Sequence, residues 1–178
     1  MKDEELIWKE NSSRTILSCP VYDIREKNCV SAEGVTGNYY VTDAPDWVVI
    51  IPVIDDDFLL VRQWRHGSSC MTTEFPGGVV EKDEDVKLTA LRELREETGF
   101  KAKKITKLGE VNPNPALFSN RFSVFLAEDL VFDGEQELDD DEYINCLRVP
   151  IKEVIENFGT GEYIHAFMGT ALSLYMRK

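Results

Sequence analysis

The sequence predicts a mixed α/β domain, because it combines a long apolar strand-like run with segments of helical spacing. The run Trp47–Ile54 is continuous and rich in β-branched residues, as expected of a buried strand. Residues 85–98 have helical periodicity, and Leu88, Leu91 and Leu94 recur on a face that we expect to pack on a core. A chain of 178 residues has room for one such domain and a small N-terminal extension.

The remaining elements are predicted from short apolar runs separated by turn residues. A turn at 55–57 reverses the chain, so residues 58–64 return as the second strand of a hairpin. Gly99 suits the left-handed position that ends a helix, and Pro150 suits the start of another. Further strands are predicted at 14–24, 38–42, 104–112, 121–128 and 144–149, a loop at 33–37, and helices at 151–158 and 163–176.

The composition argues against several classes of function. A net charge of −13 disfavours binding to nucleic acid or to anionic membranes, which requires a basic surface. The sequence contains no apolar run of about 18 residues, so no membrane-spanning helix is predicted. The four cysteines lack C-x-x-C spacing and the N-terminus lacks a signal-peptide pattern; both favour reduced thiols in a cytoplasmic protein.

The helix predicted at 85–98 carries three carboxylates on one face. Glu93, Glu96 and Glu97 lie at i, i+3 and i+4, so their side chains are neighbours. Clustered carboxylates repel each other unless a cation lies among them, and Mg²⁺ or Mn²⁺ takes such ligands together with substrate phosphates. Arg92 lies one turn before Glu96 and can fix its side chain. Phosphate-loop and nucleophile-elbow motifs are absent from the sequence, which favours metal–carboxylate chemistry.

The spacing of these residues resembles the signature of the Nudix hydrolase family, G-x5-E-x7-R-E-u-x-E-E-x-G-u, where u is apolar. The match starts at Gly78, passes through Glu84 and Arg92, and ends at Gly99–Phe100, and every specified position is met. The resemblance implies a mixed β-sheet between helices, an α/β/α sandwich in which the signature forms a loop, a helix and a second loop. It also implies an enzyme that hydrolyses a nucleoside diphosphate linked to another group with the help of a divalent cation.

The resemblance also implies roles by position. The family's metal-binding places are occupied here by the carbonyl of Gly77 and the carboxylates of Glu93, Glu96 and Glu97. Arg92 takes the place of the residue that orients a metal-binding glutamate, and Glu84 that of a supporting acid. Arg92, Glu96 and Glu97 are therefore predicted to be catalytic.

The general base lies either on this helix or on a separate loop. The acidic run at 135–142 is the loop candidate, although most of it is expected to be solvated and mobile. Glu142 immediately precedes a predicted strand and matches the region where some family members keep a catalytic glutamate. We therefore predict Glu142 as the loop base, with Glu137 and Asp140 as alternatives.

Segments around the signature resemble the ADP-ribose pyrophosphatase subfamily. The similar segments are residues 61–65 before the loop, residues 74–78 leading into it, and Pro115 after the helix. Guanidinium groups bind phosphate oxygens in fork geometry, so Arg62 and Arg65 suit the diphosphate or the terminal ribose. The predicted substrate site comprises Arg62, Arg65, Glu74, Pro115 and Asn120. Trp64 or Phe118 could stack on a base, and core packing is the favoured interpretation for Trp64.

One departure from that subfamily concerns the substrate. Where its members often have P-G-G-x-S-E, this chain has PALFSN at 115–120, so Asn120 replaces a carboxylate. ADP-ribose is the predicted substrate, and GDP-mannose or another nucleotide sugar is an alternative within the same chemistry. Hydrolysis of a nucleoside triphosphate and a non-catalytic ligand-binding module are alternatives from other classes.

The subfamily resemblance also implies a homodimer in which N-terminal strands exchange between subunits. We therefore predict a β extension at 1–44 that takes part in the exchange, followed by a Nudix hydrolase domain at 45–178. The expected partner is a small nucleoside diphosphate derivative.

Overall fold

The computed structural model describes residues 2–178, which form a mixed α/β fold as predicted. A short 3-10 turn at Asp3–Leu6 precedes the first strand. The strands are β1 Lys9–Ser18, β2 Asp23–Val30, β3 Thr36–Asp43, β4 Trp47–Ile54, β5 Asp57–Arg65, β6 Cys70–Glu74, β7 Phe100–Val111, β8 Phe122–Phe132 and β9 Asn145–Pro150. The α-helices are α1 Val86–Thr98, α2 Ile151–Asn157 and α3 Ala166–Tyr175.

The chain divides into two compact units. The first comprises Met1–Pro45 and Asn112–Arg121, and the second comprises Asp46–Val111 and Phe122–Lys178. The second unit therefore contains α1, the acidic run and all of the signature residues.

The first unit is built on an antiparallel sheet in the order β1-β2-β3. The segment 112–121 joins β3, where the N–H of Thr42 donates to the carbonyl oxygen of Leu117 at 2.7 Å. The single strand predicted at 14–24 is wrong, because it spans the end of β1, a turn and the start of β2. Nearly all of β1 is exposed, so its sequence has no apolar alternation to mark its bounds.

The second unit contains a six-stranded sheet in the order β6-β5-β4-β8-β7, with β9 added to β5. Strands β4 and β8 pair in parallel, and the other neighbours are antiparallel. Residues 48–52 of β4 are buried, which explains why this strand has a continuous apolar sequence. Strand β6 was not predicted, because Thr72 and Thr73 interrupt the apolar pattern there.

Helices cover both faces of this sheet. Val48 and Ile50 of β4 share a core cluster with Ala90 and Leu94 of α1. Val49 of the same strand belongs to a second cluster, to which α2 and α3 contribute Val154, Met168, Ala171 and Leu172. Since adjacent strand residues point to opposite faces, the second unit is the predicted sandwich of helices around a mixed sheet.

Both ends of α1 are fixed by local sequence. The Asp85 carboxylate accepts the backbone N–H groups of Lys87 at 3.0 Å and Leu88 at 3.1 Å, which caps the N-terminus. Gly99 ends the helix with a φ of 75°, as predicted, and a side chain there would collide with the carbonyl oxygen of Gly134.

The prediction that Leu88 packs on the core is wrong. Leu88 is 59% exposed, whereas Leu94 is fully buried. The core face of α1 instead runs through Ala90 and Leu94, so the three-residue leucine spacing drifts away from the buried side.

No helix within residues 2–178 is long and apolar enough to cross a membrane. The cysteines are unpaired in the described part of the chain: Cys19, Cys29, Cys70 and Cys146.

Candidate active site

The glycine loop before α1 lies against the helix carboxylates. The N–H of Gly77 donates to Oε2 of Glu97 at 2.8 Å. A side chain at Gly78 would overlap the Glu93 carboxylate, so the backbone approaches that group closely. Gly78 and Val48 exchange two backbone hydrogen bonds of 3.0 and 3.1 Å, which anchor the loop to the central strand β4. The loop thereby holds its backbone next to the predicted metal ligands.

Arg92 is at the centre of the carboxylate cluster. Its Nη1 lies 2.9 Å from Oε1 of Glu93 and 2.8 Å from Oε2 of Glu96. Its Nε and Nη2 each donate to Glu84 at 3.2 Å. The predicted pairing of Arg92 with Glu96 is thus present, and Glu84 holds the same guanidinium from the loop side. One planar cation orients three carboxylates.

Two of the helix carboxylates resist ionisation. Burial, together with the charges of Glu96 and Glu142, raises the pKa of Glu93 to about 7 against the opposing effect of Arg92. Burial, with the charges of Glu93 and Glu142, raises the pKa of Glu97 to about 8, although the Gly77 N–H favours the ionised form. In both groups burial is the main cause of the raised pKa, and the neighbouring acids add to it.

The donor set fits a hard divalent cation. Its oxygens are carboxylates on one helix face, which is the ligand type that Mg²⁺ and Mn²⁺ take. Within residues 2–178 no three acidic, histidine or cysteine side chains are gathered as a ready-made metal cluster. The Arg92 guanidinium contacts both Glu93 and Glu96 on this face. A cation at this face would neutralise the two acids whose pKa values are raised.

The acidic run contributes Glu142. The backbone N–H of Glu142 donates to the carbonyl oxygen of Asp139 at 3.0 Å, and the Glu142 carboxylate accepts the N–H of Asp139 at 3.2 Å. Glu142 is exposed, and its charge raises the pKa of both Glu93 and Glu97. Glu137 is instead paired with Arg95 at 2.8 Å. Of the predicted loop acids, Glu142 therefore acts on the helix carboxylates through its charge, whereas Glu137 is engaged in its own ion pair.

Arg65 and Glu74 form a forked ion pair on the edge strands. Nε and Nη2 of Arg65 donate to the two carboxylate oxygens of Glu74 at 2.7 and 2.9 Å. Thr72 Oγ donates to the same carboxylate at 2.7 Å. Burial opposes ionisation of Glu74, but the Arg65 and Thr72 bonds outweigh it and lower its pKa. His165 Nε2 lies 3.6 Å from Oε2 of Glu74, and burial lowers the pKa of His165.

Arg62 is engaged within the chain as well. Its Nη2 donates to Glu162, which also accepts the hydroxyl of Thr73 at 3.0 Å. The neighbouring Trp64 is 49% exposed, so the prediction that it packs in the core is wrong. The C-terminal end of β5 lies at the surface, where residues 62–65 are partly or largely exposed.

Pro115 and Asn120 belong to the first unit. Pro115 is exposed, and Asn120 is buried with its Nδ2 donating to the carbonyl oxygen of Pro45 at 2.7 Å. Phe118 pairs with Thr42 as an isolated parallel bridge. The other predicted substrate residues, Arg62, Arg65 and Glu74, belong to the second unit.

Sequence reasoning missed the residues that hold the acidic run in place. The run was expected to be mobile, but Arg95 and Gln136 bind its first half to α1. The one available signal was Gln136, an uncharged amide within an acidic segment.

Comparisons with known proteins agree with the signature and with the fold. A family model described as the NUDIX domain matches residues 44–167. An ADP-ribose pyrophosphatase of Bacillus subtilis (strain 168) is 33% identical over 178 residues, covering 99% of this chain and 94% of the relative. The "ADP compounds hydrolase NudE" of Escherichia coli (strain K12) is 30% identical over 127 residues, covering 71% of this chain and 68% of that protein.

A solved structure shares the fold. A crystal structure of an ADP compounds hydrolase superimposes with a TM-score of 0.85 at 24% identity, covering 96% of this chain and 92% of that chain. Its similarity extends over nearly the whole chain, which confirms the predicted fold class.

Proposed function

Since this chain belongs to the Nudix hydrolase family, we propose that it hydrolyses the diphosphate bridge of ADP-ribose, giving a nucleoside monophosphate and a sugar phosphate. The observation that carries this proposal is the carboxylate-rich face of α1, where Arg92 holds Glu93 and Glu96 and the Gly77 N–H holds the neighbouring Glu97. The names of two relatives, which refer to ADP-ribose and to ADP compounds, support the choice of nucleotide.

We propose that Mg²⁺ or Mn²⁺ is held by the carboxylates of Glu93, Glu96 and Glu97 together with the carbonyl of Gly77. When bound, such a cation neutralises charge on phosphoryl oxygens and makes a water easier to deprotonate. The chain's own contribution is to keep the carboxylates oriented, through Arg92 and through the Gly77 N–H.

We propose Glu142 as the general base that takes the proton of the attacking water. Its exposure and its effect on the pKa of Glu93 and Glu97 support this role. Glu137 is held by Arg95, which makes it the weaker alternative. A base on a loop beside the helix leaves the helix carboxylates free for the cation.

The substrate contacts are proposals of the same kind. Arg65 uses Nε and Nη2 for Glu74, and we propose that its Nη1 binds a phosphate oxygen. Glu74 then acts by holding Arg65 in place. Arg62 is proposed to bind another part of the nucleotide sugar, and a role of Pro115 and Asn120 in substrate binding stays a prediction from the sequence.

A substrate panel tests the reaction. ADP-ribose, GDP-mannose, other nucleotide sugars and nucleoside triphosphates are incubated with Mg²⁺ or Mn²⁺, and the products are separated by chromatography. ADP-ribose should give AMP and ribose 5-phosphate, and reaction in ¹⁸O-water should place one labelled oxygen on one of them. Preference for another nucleotide sugar would change the substrate but not the chemistry. Release of free sugar with a nucleoside diphosphate, or no turnover at all, would contradict the proposal.

We also propose that residues 1–44 form an extension that exchanges between the subunits of a homodimer, ahead of a catalytic domain at 45–178. Strand β1 lies at an edge of its sheet and exposes Ile16 at 47% and Leu17 at 56%. Exposed apolar side chains on an edge strand favour pairing with another chain. Light scattering should give about twice the chain mass of 20.3 kDa. A fully active monomer would contradict the exchange.

We also propose that the protein is located in the cytoplasm. The unpaired cysteines of the described residues are consistent with a reducing compartment. Fractionation of cells that express the tagged protein would place it, and recovery in an oxidising compartment with paired cysteines would contradict the assignment.

A further inference from the structure

The segment that follows β8 binds the C-terminal end of α1. The N–H of Asp133 donates to the carbonyl oxygen of Gly99 at 2.8 Å, and the N–H of Glu137 donates to that of Glu96 at 2.9 Å. The Gln136 side-chain amide donates to the carbonyl oxygen of Glu97. The last carbonyls of a helix have no partner within the helix, so this segment supplies partners from outside it.

Arg95 holds the same segment by three hydrogen bonds. Its Nε donates to Asp133 at 2.8 Å, its Nη1 to the carbonyl oxygen of Glu135 at 2.9 Å, and its Nη2 to Glu137 at 2.8 Å. The Arg95 side chain is 17% exposed. The planar guanidinium therefore fixes three successive points of one short segment, which a lysine could not do.

Gln136 also contacts the far end of the acidic run. The same Nε2 that donates to the carbonyl oxygen of Glu97 lies 3.3 Å from the carbonyl oxygen of Ile144, the buried residue that directly precedes β9. One amide group thus bridges the end of α1 and the residue that follows Tyr143. The run from Glu137 to Tyr143 is a loop whose two ends are tied to each other and to the catalytic helix, and Glu142 lies within it.

We propose that Gln136 and Arg95 are positioning residues that hold the Asp139–Glu142 turn in place for catalysis. The inference rests on the proposed function, because it gives Glu142 the role of the base. Neither residue reaches the helix carboxylates with its side chain in the contacts described, so both act through the loop. The competing interpretation is that they only cap α1 and stabilise the fold.

A double-mutant cycle separates these interpretations. The full chain is assayed with ADP-ribose and Mg²⁺ as Gln136→Ala and Arg95→Ala, each alone and combined with Glu142→Gln. Each single variant should lower kcat by about 10- to 100-fold, the cost of misplacing a reacting group by about 1 Å, with KM changed by less than about threefold. In the Glu142→Gln background the same substitutions should cost less than about threefold, because the group that they position is already gone.

Arg148→Ala is the matched control. Arg148 also bridges two carboxylates, Asp57 at 2.6 Å and Asp55 at 2.8 Å, but it does so at the opposite end of β9. Its loss should leave kcat within about twofold while lowering the melting temperature as much as Arg95→Ala does. Equal losses of kcat in both arginine variants, or full additivity with Glu142→Gln, would overturn the positioning role.

Hydrogen exchange tests whether Gln136 and Arg95 hold the Asp139–Glu142 turn, and it requires no measurement of catalytic turnover. The N–H groups of Asp139 and Glu142 are both hydrogen-bonded within the turn, so their exchange reports its stability. Exchange of these N–H groups should accelerate at least about tenfold in Gln136→Ala and in the milder Arg95→Lys. Unchanged exchange would show that neither side chain holds the turn, and this conclusion does not depend on the identity of the substrate. If Glu142→Gln has wild-type kcat while Gln136→Ala does not, the proposed base is wrong and the positioning of Glu142 falls with it. The hydrolase proposal would survive that result.

Discussion

Glu74 on β6 and Glu97 on α1 are both 3% exposed, yet their carboxyl groups are shifted in opposite directions. The pKa of Glu74 is lowered because Arg65 donates two hydrogen bonds and Thr72 a third, which outweigh burial. The pKa of Glu97 is raised to about 8 because burial and two neighbouring acids outweigh one hydrogen bond from Gly77.

The difference shows that burial sets the cost of ionising a carboxylate, whereas its partners decide whether that cost is met. Glu74 finds its counter-charge in Arg65 and a further hydrogen-bond donor in Thr72, so it has the partners of a structural anion within the protein. For Glu97 the one hydrogen bond from the Gly77 N–H does not offset the effect of burial. Loss of the charge of Glu74 should therefore lower the stability of the protein, whereas loss of the charge of Glu97 should not.

The largest expected effect is on catalysis at Glu97. Glu97→Gln keeps an acceptor for the Gly77 N–H but removes a carboxylate from the cluster, and kcat should fall by at least about 10²-fold. The melting temperature in metal-free buffer should stay the same or rise, because like-charge repulsion is relieved. Glu156→Gln, an exposed helical glutamate on α2, is the control for the substitution itself. Near-normal turnover at saturating Mg²⁺ would remove Glu97 from the mechanism.

Glu74→Gln should lower the stability of the protein, in contrast to Glu97→Gln. Glu74→Gln leaves the Arg65 guanidinium without its paired anion, which should cost about 2 kcal/mol of unfolding free energy. For a chain of this size the melting temperature should fall by about 4–8 °C. Thermal unfolding followed by circular dichroism measures the shift, and a melting temperature equal to that of the wild type would show that the buried pair adds nothing.

The pH dependence of stability should differ between the helix carboxylates and Glu74. Glu93 and Glu97 have pKa values above those of the unfolded chain, so the folded state binds their protons more tightly. Metal-free stability should therefore fall as pH rises through about 7 and 8, and this slope should be smaller in Glu97→Gln. Glu74 behaves oppositely, since its stabilisation is present at neutral pH and is lost as pH falls through its lowered pKa. Melting curves that are flat between pH 6 and about 8.5 would contradict the raised values.

The smallest expected effect comes from Arg65→Lys. Lysine keeps the positive charge beside Glu74 but has no fork to engage both carboxylate oxygens. The cost should be about 1 kcal/mol, or about 2–4 °C in melting temperature, and therefore less than that of Glu74→Gln. A loss as large as that of Glu74→Gln would mean that fork geometry, rather than charge, stabilises the pair.

Much of the catalytic helix could be predicted from sequence because its determinants are local. The glycine end at Gly99 and the carboxylate spacing both lie within one short segment. Strand β4 was predicted with its observed bounds, since burial on both faces leaves an unbroken apolar sequence.

The parts that were missed depend on contacts between distant residues. Leu88 fits helical spacing but faces solvent, because the phase of α1 is set by packing on the sheet rather than by its own leucines. Strand β1 is polar and exposed, so pairing with β2 defines it and its own pattern does not. The contact of Gln136 with both Glu97 and Ile144 has no local signature at all.

The parallel pairing of β4 with β8 has a consequence for folding. Trp47 lies opposite Phe122, and α1 lies in the chain between the two strands. Closing so long a loop is entropically costly, and non-local strand pairs form slowly. During synthesis the complete signature therefore emerges before the strand that completes its sheet and before the segment that carries Glu142. A nascent or truncated chain can carry every residue of the signature without possessing the site.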